Sequence, residues 1–191
     1  MSKWNMTIPI ALALLLTVAF CQRGEAKGGT ADATTKASER AQYTSVSDPD
    51  RSEITDLIYR YSYTIDARDL EGFVSLFTDD CRWVANLPEK PIVLDSRAKL
   101  REYVAKRLKY FTDQGIQTRH LQTNTILTRV NADQVEGVNY VTLLGQVKGE
   151  AVPRVISTGI YKDRFVKTED GWRFSVREAT LDQGRLPSVD K

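Results

Sequence analysis

The chain of 191 residues contains one histidine, His120, and histidine is the side chain whose charge changes most readily near neutral pH. It lies in a segment typical of a strand, where successive side chains alternate between two faces. Alternation predicts that His120, Gln122 and Asn124 share one face, which Ile126 continues. We expect this partly apolar face to point inward. His120 then either serves a cavity as an acid or base, or is a buried residue with satisfied hydrogen bonds.

Asp66 is the carboxylate that the sequence places best to work with this imidazole. It follows Ile65, the last residue of an apolar stripe on a predicted helix, and about 100° of helical rotation separates the two. That rotation puts Asp66 on the flank of the stripe, within reach of a neighbouring sheet. A carboxylate that accepts one imidazole N–H leaves the other ring nitrogen as a base. The alternative is that Asp66 closes the helix or pairs with Arg68.

Metal and cofactor motifs do not occur in this sequence. One histidine and scattered carboxylates give no cluster with metal-ligand spacing. A glycine-rich phosphate loop and a Gly-x-Ser-x-Gly motif are also missing. We therefore predict no metal site and no cofactor. The net charge of +2 predicts no nucleic-acid partner, because no strong positive field exists to attract one.

The elements that must position these residues are three helices followed by long strands. The first helix is predicted to begin near Asp50, which has the spacing of a capping box with Glu53. Asp69 can cap a second, shorter helix with Phe77 on its inner face, and a third helix begins near Ser96. The predicted strands are 81–85, 118–130, 134–146, 154–167 and 172–181.

This order of elements predicts an α+β domain in which the N-terminal helices pack on a strongly curved, mostly antiparallel sheet. A sheet of long bent strands that is closed by helices forms a cavity. Cys81 begins the first predicted strand, and we expect it to be a small buried residue rather than a nucleophile.

The N-terminal segment has the layout of a secretory signal peptide. Lys3 precedes an apolar run from Ile8 to Phe20, and cleavage is expected after Ala26. The protein is therefore predicted to be secreted or periplasmic. The alternative is a lipid anchor on Cys21, and membrane association is expected only in that case.

The rest of the chain divides by composition. Residues 27–49 are rich in small and polar side chains and are predicted to form a flexible linker. Residues 50–184 form the predicted domain, and residues 185–191 a C-terminal tail.

Five short segments of the predicted domain occur in an order shared with a known family. They are 63–69 (YTIDARD), 77–80 (FTDD) followed by Trp83, 120–124 (HLQTN), 132–137 (ADQVEG) and 170–174 (DGWRF). Through them the stretch from Asp50 to Asp182 resembles the SnoaL-like superfamily, a cone-shaped α+β barrel of the nuclear transport factor 2-like fold. Within it, the chain is similar to the branch of scytalone dehydratase and hexachlorocyclohexane dehydrochlorinase.

The resemblance implies roles for several residues. In that branch, an aspartate and a histidine at the positions of Asp66 and His120 form a catalytic pair. Arg177 matches an arginine that assists leaving-group departure or oxyanion binding, and Trp83 matches a pocket tryptophan. Asn124 is expected to contact the substrate.

One position departs from the dehydrochlorinase pattern. That enzyme has a lysine five residues before its aspartate, whereas this chain has Tyr61, which weakens a halide-elimination assignment. Tyr61 and Tyr63 are expected to contact the substrate as phenolic donors, because the dehydratase also uses tyrosines. The alternative for Tyr61 is packing in the core, since it lies on the apolar stripe.

These features lead to two functional hypotheses. The first is a cofactor-independent lyase or isomerase, dehydratase-like, that uses the Asp66–His120 pair as a general base on a small hydrophobic or hydroxylated ring substrate. The second is a non-catalytic module of the same fold that binds a small ligand or another protein. By analogy with the superfamily, we expect a homodimer or homotrimer.

Overall fold

Three helices and six strands make up the computed structural model, which describes residues 45–183. The predicted signal peptide with Cys21, residues 27–44 of the predicted linker and the C-terminal tail lie outside the described residues. The helices are α1 (Asp48–Ala67), α2 (Leu70–Ser75) and α3 (Arg97–Asp113). The strands are β1 (Phe77–Asn86), β2 (Ile92–Leu94), β3 (Ile116–Asn131), β4 (Gln134–Val147), β5 (Arg154–Thr168) and β6 (Gly171–Leu181).

All six strands belong to one sheet with the order β2-β1-β6-β5-β4-β3. The strands β3 to β6 form an antiparallel meander, and the single parallel pair joins β1 to β6. Gly171 begins β6 with a φ of 95°, a conformation that glycine adopts without strain in the tight turn after β5. The predicted α+β class and the mostly antiparallel sheet are confirmed.

The core lies between the inner face of the sheet and the helices. Helix α1 contacts β3 and β6, while α3 contacts β1, β2 and β3. Phenylalanine rings fill the centre, and Phe77 stacks on Phe174 with ring centroids 5.1 Å apart. Cys81 is fully buried with a free thiol, and burial together with the Asp80 charge raises the pKa of that thiol to about 11. It is therefore protonated at neutral pH, as the structural interpretation requires.

Two predicted helix ends are wrong. Helix α1 begins at Asp48, with Pro49 in its first turn, and the predicted cap Asp50 instead accepts hydrogen bonds from the Lys167 ammonium and the Trp172 indole. Helix α2 ends before Phe77, which is the first residue of β1 and remains buried. The predicted cap Asp69 is confirmed, because its side chain accepts a backbone N–H of its helix. The predicted start of the third helix near Ser96 is also confirmed, and the Ser96 side chain caps that helix.

Strand β3 departs from the predicted alternation at a bulge between Thr123 and Ile126. Asn124 has a φ of 56° there, in the left-handed region, and its side chain is exposed. The bulge reverses which residues face inward, so Leu127 is buried while Ile126 is 54% exposed. The prediction that Asn124 and Ile126 share the inward face of His120 is therefore wrong.

No helix in the range 45–183 combines the length and the apolar character needed to cross a membrane.

Candidate functional site

The end of α1 places the Asp66 carboxylate against strand β3. Arg68 terminates the helix in the left-handed conformation, with a φ of 63°, and its guanidinium donates to the carbonyl of Ile116 and to the Thr112 hydroxyl. Arg68 also donates to the backbone carbonyl of Asp66, not to its carboxylate. The helix end is thus fixed to the start of β3, and the Asp66 carboxylate remains available to that strand.

Asp66 and His120 meet in a direct hydrogen bond. His120 Nδ1 lies 2.7 Å from Asp66 Oδ1, and the backbone N–H of His120 donates to Oδ2 at 2.7 Å. The Thr118 hydroxyl adds a further bond to Oδ1 at 2.8 Å. Burial would raise the pKa of Asp66, but the hydrogen bond and charge of His120 outweigh it, so the pKa lies below its usual value. The carboxylate therefore stays ionised at neutral pH and fixes the orientation of the ring.

The His120 side chain lines two spaces in the structure. The side chain is 12% exposed, and within residues 45–183 Nε2 has no hydrogen-bond partner. The ring lines an enclosed cavity of about 80 Å³ between the helices and the sheet. It also lines an open groove of about 640 Å³ on the outer side, between α1 and β3. A largely buried imidazole held by a carboxylate, with Nε2 free, can act as a proton acceptor.

One phenol contacts this ring, and a second phenol contacts the first. The Tyr61 ring meets His120 edge to face with centroids 6.3 Å apart, and it meets Tyr161 in the same way at 6.0 Å. Both tyrosines line the enclosed cavity. Burial and the neighbouring Tyr61 raise the pKa of Tyr161 well above its usual value. Tyr161 is thus a protonated donor, and Tyr61 serves both core packing and the cavity wall.

Arg177 is buried behind the cavity instead of on its wall. The guanidinium makes two bonds of 2.7 Å to the Asp163 carboxylate and a third to the Gln122 side chain at 2.9 Å. Its carbon lies 4.0 Å from the centroid of the Tyr61 ring and 4.3 Å from that of Tyr161. Burial would lower the pKa of Arg177, but the charge and hydrogen bonds of Asp163 raise it above its usual value. Arg177 is placed to position the phenols, and its Nη1 atom is buried without a hydrogen-bond partner among residues 45–183. Its contact with an oxyanion stays a prediction.

The other predicted site residues lie in three different places. Trp83, 8% exposed, lines the enclosed cavity together with Tyr61 and His120. Tyr63, 78% exposed, lines only the outer groove, because it lies on the solvent side of α1. Asn124 lines neither space, since the bulge in β3 turns it away.

Sequence reasoning missed three residues of the site: Asp163, Tyr161 and Arg107. Asp163 and Arg177 are directly opposite each other on β5 and β6. The antiparallel pairing of β5 with β6 could have indicated this ion pair, but a bulge shifts the register between the connecting turn and the pair. Arg107 of α3 also lines the enclosed cavity.

No group of three His, Cys, Asp or Glu side chains in the described part of the chain is placed to hold a metal ion.

Comparison with known proteins points to one family. The family described as SnoaL-like domain matches residues 48–178, which is more than half of the chain. The small oxygenase component of the p-cumate 2,3-dioxygenase system of Pseudomonas putida is 27% identical over 99 residues, covering 45% of this chain and 55% of that protein. The chain thus spans about half the length of this curated relative.

Solved structures share the fold at low sequence identity. A protein of Novosphingobium aromaticivorans described as NTF2-like with a cystatin-like fold has a TM-score of 0.62 and 22% identity, covering 82% of this chain and 94% of its own. A second protein of that organism, classed provisionally as a scytalone dehydratase, has a TM-score of 0.57 and 19% identity, covering 83% and 92%. At these identities the similarity establishes the fold alone.

Proposed function

The chain belongs to the SnoaL-like domain family, and we propose that it is a cofactor-independent lyase or isomerase, dehydratase-like, for a small hydrophobic or hydroxylated ring compound. The observation that carries the proposal is the 2.7 Å contact of His120 Nδ1 with Asp66, which leaves Nε2 free on a ring that lines a cavity.

The proposed reaction begins with proton transfer to His120. Nε2 accepts a proton from a substrate C–H, and the electron pair of that bond forms a new C=C bond. The ionised Asp66 stabilises the imidazolium ion. In a dehydration, the C–O bond on the adjacent carbon breaks, and the hydroxyl leaves as water after receiving a proton from the imidazolium. In an isomerisation, the imidazolium returns the proton to another carbon.

The phenols complete this chemistry. Tyr161 stays protonated because its pKa is raised, so it can donate a hydrogen bond to a substrate oxygen that gains negative charge. The Arg177 guanidinium behind both rings makes each phenol a stronger donor through its positive charge. Arg177 therefore acts on the reaction through Tyr61 and Tyr161.

Replacement of His120 tests the proposal. We expect His120→Gln to lower kcat by about 10² to 10⁴, because it removes the proton acceptor and keeps a side chain of similar size. Asp66→Asn should also lower kcat, since it removes the charge that stabilises the imidazolium. The assay is turnover of hydroxylated ring compounds that bind in a thermal-shift screen, with the thermal midpoint as the control for folding. Unchanged turnover in His120→Gln would contradict the proposal.

A second candidate is a non-catalytic module that binds a small ligand or pairs with another protein. Two observations favour it: the enclosed cavity has only about 80 Å³, and the curated relative is named as a component of an oxygenase system. This candidate predicts binding without turnover, and co-purification with a larger protein in cell extract.

We also propose that the protein is exported and self-associates. Export rests on the apolar run from Ile8 to Phe20 behind Lys3, and cleavage after Ala26 is tested by sequencing the N-terminus of the mature protein. Recovery of the uncleaved chain from the cytoplasm would contradict it. A lipid on Cys21 is the alternative outcome of the same experiment, detected as an increase in mass.

The proposed assembly is a homodimer or homotrimer.

A further inference from the structure

Arg107 is a cation without a counter-ion at the wall of the enclosed cavity. It lies on α3, is half-buried, and forms no ion pair with any acidic side chain of residues 45–183. Its Nη1 atom is buried without a hydrogen-bond partner in that range. Its guanidinium carbon lies 5.3 Å from the centroid of the Phe111 ring and 6.0 Å from that of Tyr103. Buried charges in proteins are normally paired, so a partner for Arg107 is to be expected.

Trp83 gives a second, independent signal at the same wall. Its ring packs against Tyr103 with centroids 5.7 Å apart, and Tyr103 also contacts Arg107. The indole is 8% exposed, and its Nε1–H, a donor only, has no partner among the described residues. Trp83 and Arg107 both line the cavity. Two unsatisfied donors, one of them charged, thus occupy one wall of a space that His120 also lines.

The charge of the cavity lining specifies the ligand. Among the described residues that line the cavity there is no Asp or Glu, whereas Arg107 and His120 are both present. The Asp66 carboxylate, which is bonded to His120, already accepts hydrogen bonds from Thr118 and His120. Aromatic and aliphatic side chains make up most of the remaining wall. The cavity therefore suits a molecule with an apolar body and one anionic oxygen group.

We propose that Arg107 and Trp83 bind the carboxylate of a small aromatic or alicyclic monocarboxylate, whose ring lies among the aromatic side chains of the cavity. The inference rests on the cavity of the proposed function, but not on proton transfer by His120. A cavity of about 80 Å³ is smaller than the roughly 150 Å³ that admits benzene, so Arg107 must move outward as a ring enters. Its long side chain, open to solvent on one side, allows this movement.

A matched pair of probes tests the proposal: benzoate, which carries the anionic group, and benzamide, which has the same shape without charge. We expect the purified protein to bind benzoate at least about 10-fold more tightly in calorimetric titration, because hydrogen bonds to charged groups are worth about twice those of neutral ones. Arg107→Met should weaken benzoate binding by about 10- to 100-fold and leave benzamide within about 3-fold. Trp83→Phe should weaken benzoate binding by a smaller factor.

Arg101→Met is the matched control. Arg101 lies on the same helix but is exposed and pairs with Glu71, so its loss should leave both affinities unchanged. The thermal midpoint of ligand-free Arg107→Met should equal or exceed that of the wild type, since the substitution removes an unpaired cation. Equal affinity for benzoate and benzamide, no binding of benzoate, or benzoate binding that survives Arg107→Met would each overturn the proposal.

His120→Gln separates this inference from the proposed function. If the catalytic proposal fails and the inference holds, His120→Gln retains turnover, while Arg107→Met still loses benzoate. If the inference fails and the catalytic proposal holds, His120→Gln loses turnover, while Arg107→Met binds benzoate normally.

Discussion

Arg177 shows how a single buried charge organises this site. Its guanidinium is fully buried, paired with Asp163 and packed against the faces of Tyr61, Tyr161 and Phe174. A buried ion pair adds little net stability compared with apolar residues, whereas an unpaired buried charge is costly. We therefore interpret the arrangement as one that fixes and polarises the phenols of Tyr61 and Tyr161.

Removal of this cation should destabilise the fold, because the buried Asp163 carboxylate then has no positive charge beside it. We expect Arg177→Met to lower the free energy of unfolding by about 3–5 kcal/mol. The double variant Arg177→Met with Asp163→Asn should recover a large part of that loss, since no buried charge remains. Urea unfolding of the single and double variants measures both effects. Equal losses in the two proteins would show that packing against the rings, not charge, dominates.

At the scale of elements, Asp50 joins the start of α1 to the sheet. Its carboxylate accepts hydrogen bonds from Ser47 at 2.8 Å and from Lys167 and Trp172 at 3.0 Å each, and Arg129 also pairs with it. These donors, Ser47 first, lower the pKa of Asp50 well below its usual value. The helix that carries Asp66 is thus held at its first turn by β3, β5 and β6.

This junction predicts a pH-dependent stability. A carboxyl group with a depressed folded pKa stabilises the fold fully above its unfolded pKa, about 3.9, and loses that contribution as the pH falls through the folded pKa. We expect Asp50→Asn to lower the free energy of unfolding by about 1–3 kcal/mol at pH 7. The difference from wild type should shrink from about pH 5 downward. Chemical denaturation at several pH values measures it.

Asp48→Asn is the control for this prediction, because Asp48 is an exposed residue in the same first turn. It should change the free energy of unfolding by less than about 0.5 kcal/mol at every pH. A difference between Asp50→Asn and wild type that is constant with pH would contradict the role of the Asp50 charge.

The sequence predicted most elements correctly because their apolar patterns are long. The stripe of α1 and the strand-like composition of the last four strands are local signals, and the structure has these elements at nearly the expected positions. Strand β2 has three residues between two loops and carries no such pattern, so it was missed. Helix α1 starts early because Pro49 fits a first turn, which the acidic spacing of Asp50 and Glu53 obscured.

Bulges explain why the site was predicted only in part. His120 lies before the bulge of β3, so simple alternation finds its inward face, while Asn124 lies within the bulge. In β6, Phe174 and Arg177 both face inward because the pairing of β6 with β5 shifts in register between these two residues. Strict alternation from Phe174 turns Arg177 outward, and only the family resemblance identified it. Such register shifts depend on tertiary packing, and the alternation of apolar and polar residues in the sequence does not reveal them.

At the scale of the whole molecule, the outward face of the sheet is the surface that we expect to mediate self-association. Ile126, 54% exposed, and Tyr140, 55% exposed, lie on this face, away from the helices. We expect light scattering to give a mass of two or three chains, and Tyr140→Glu to reduce it to one, because a charge is costly in a closed apolar contact. Tyr63→Glu, on the exposed side of α1, is the control. A wild-type mass of one chain would contradict the assembly.

The position of β6 in the sheet also determines when the sheet can finish folding. This strand is the last of the described chain, yet it lies between β1 and β5 and is the only link between the N-terminal strands and the meander. Until residues 171–181 leave the ribosome, β1 has no strand partner in the described chain except the three residues of β2. The cavity therefore cannot close until residues 171–181 have been synthesised, and the earlier strands remain without their final packing until then.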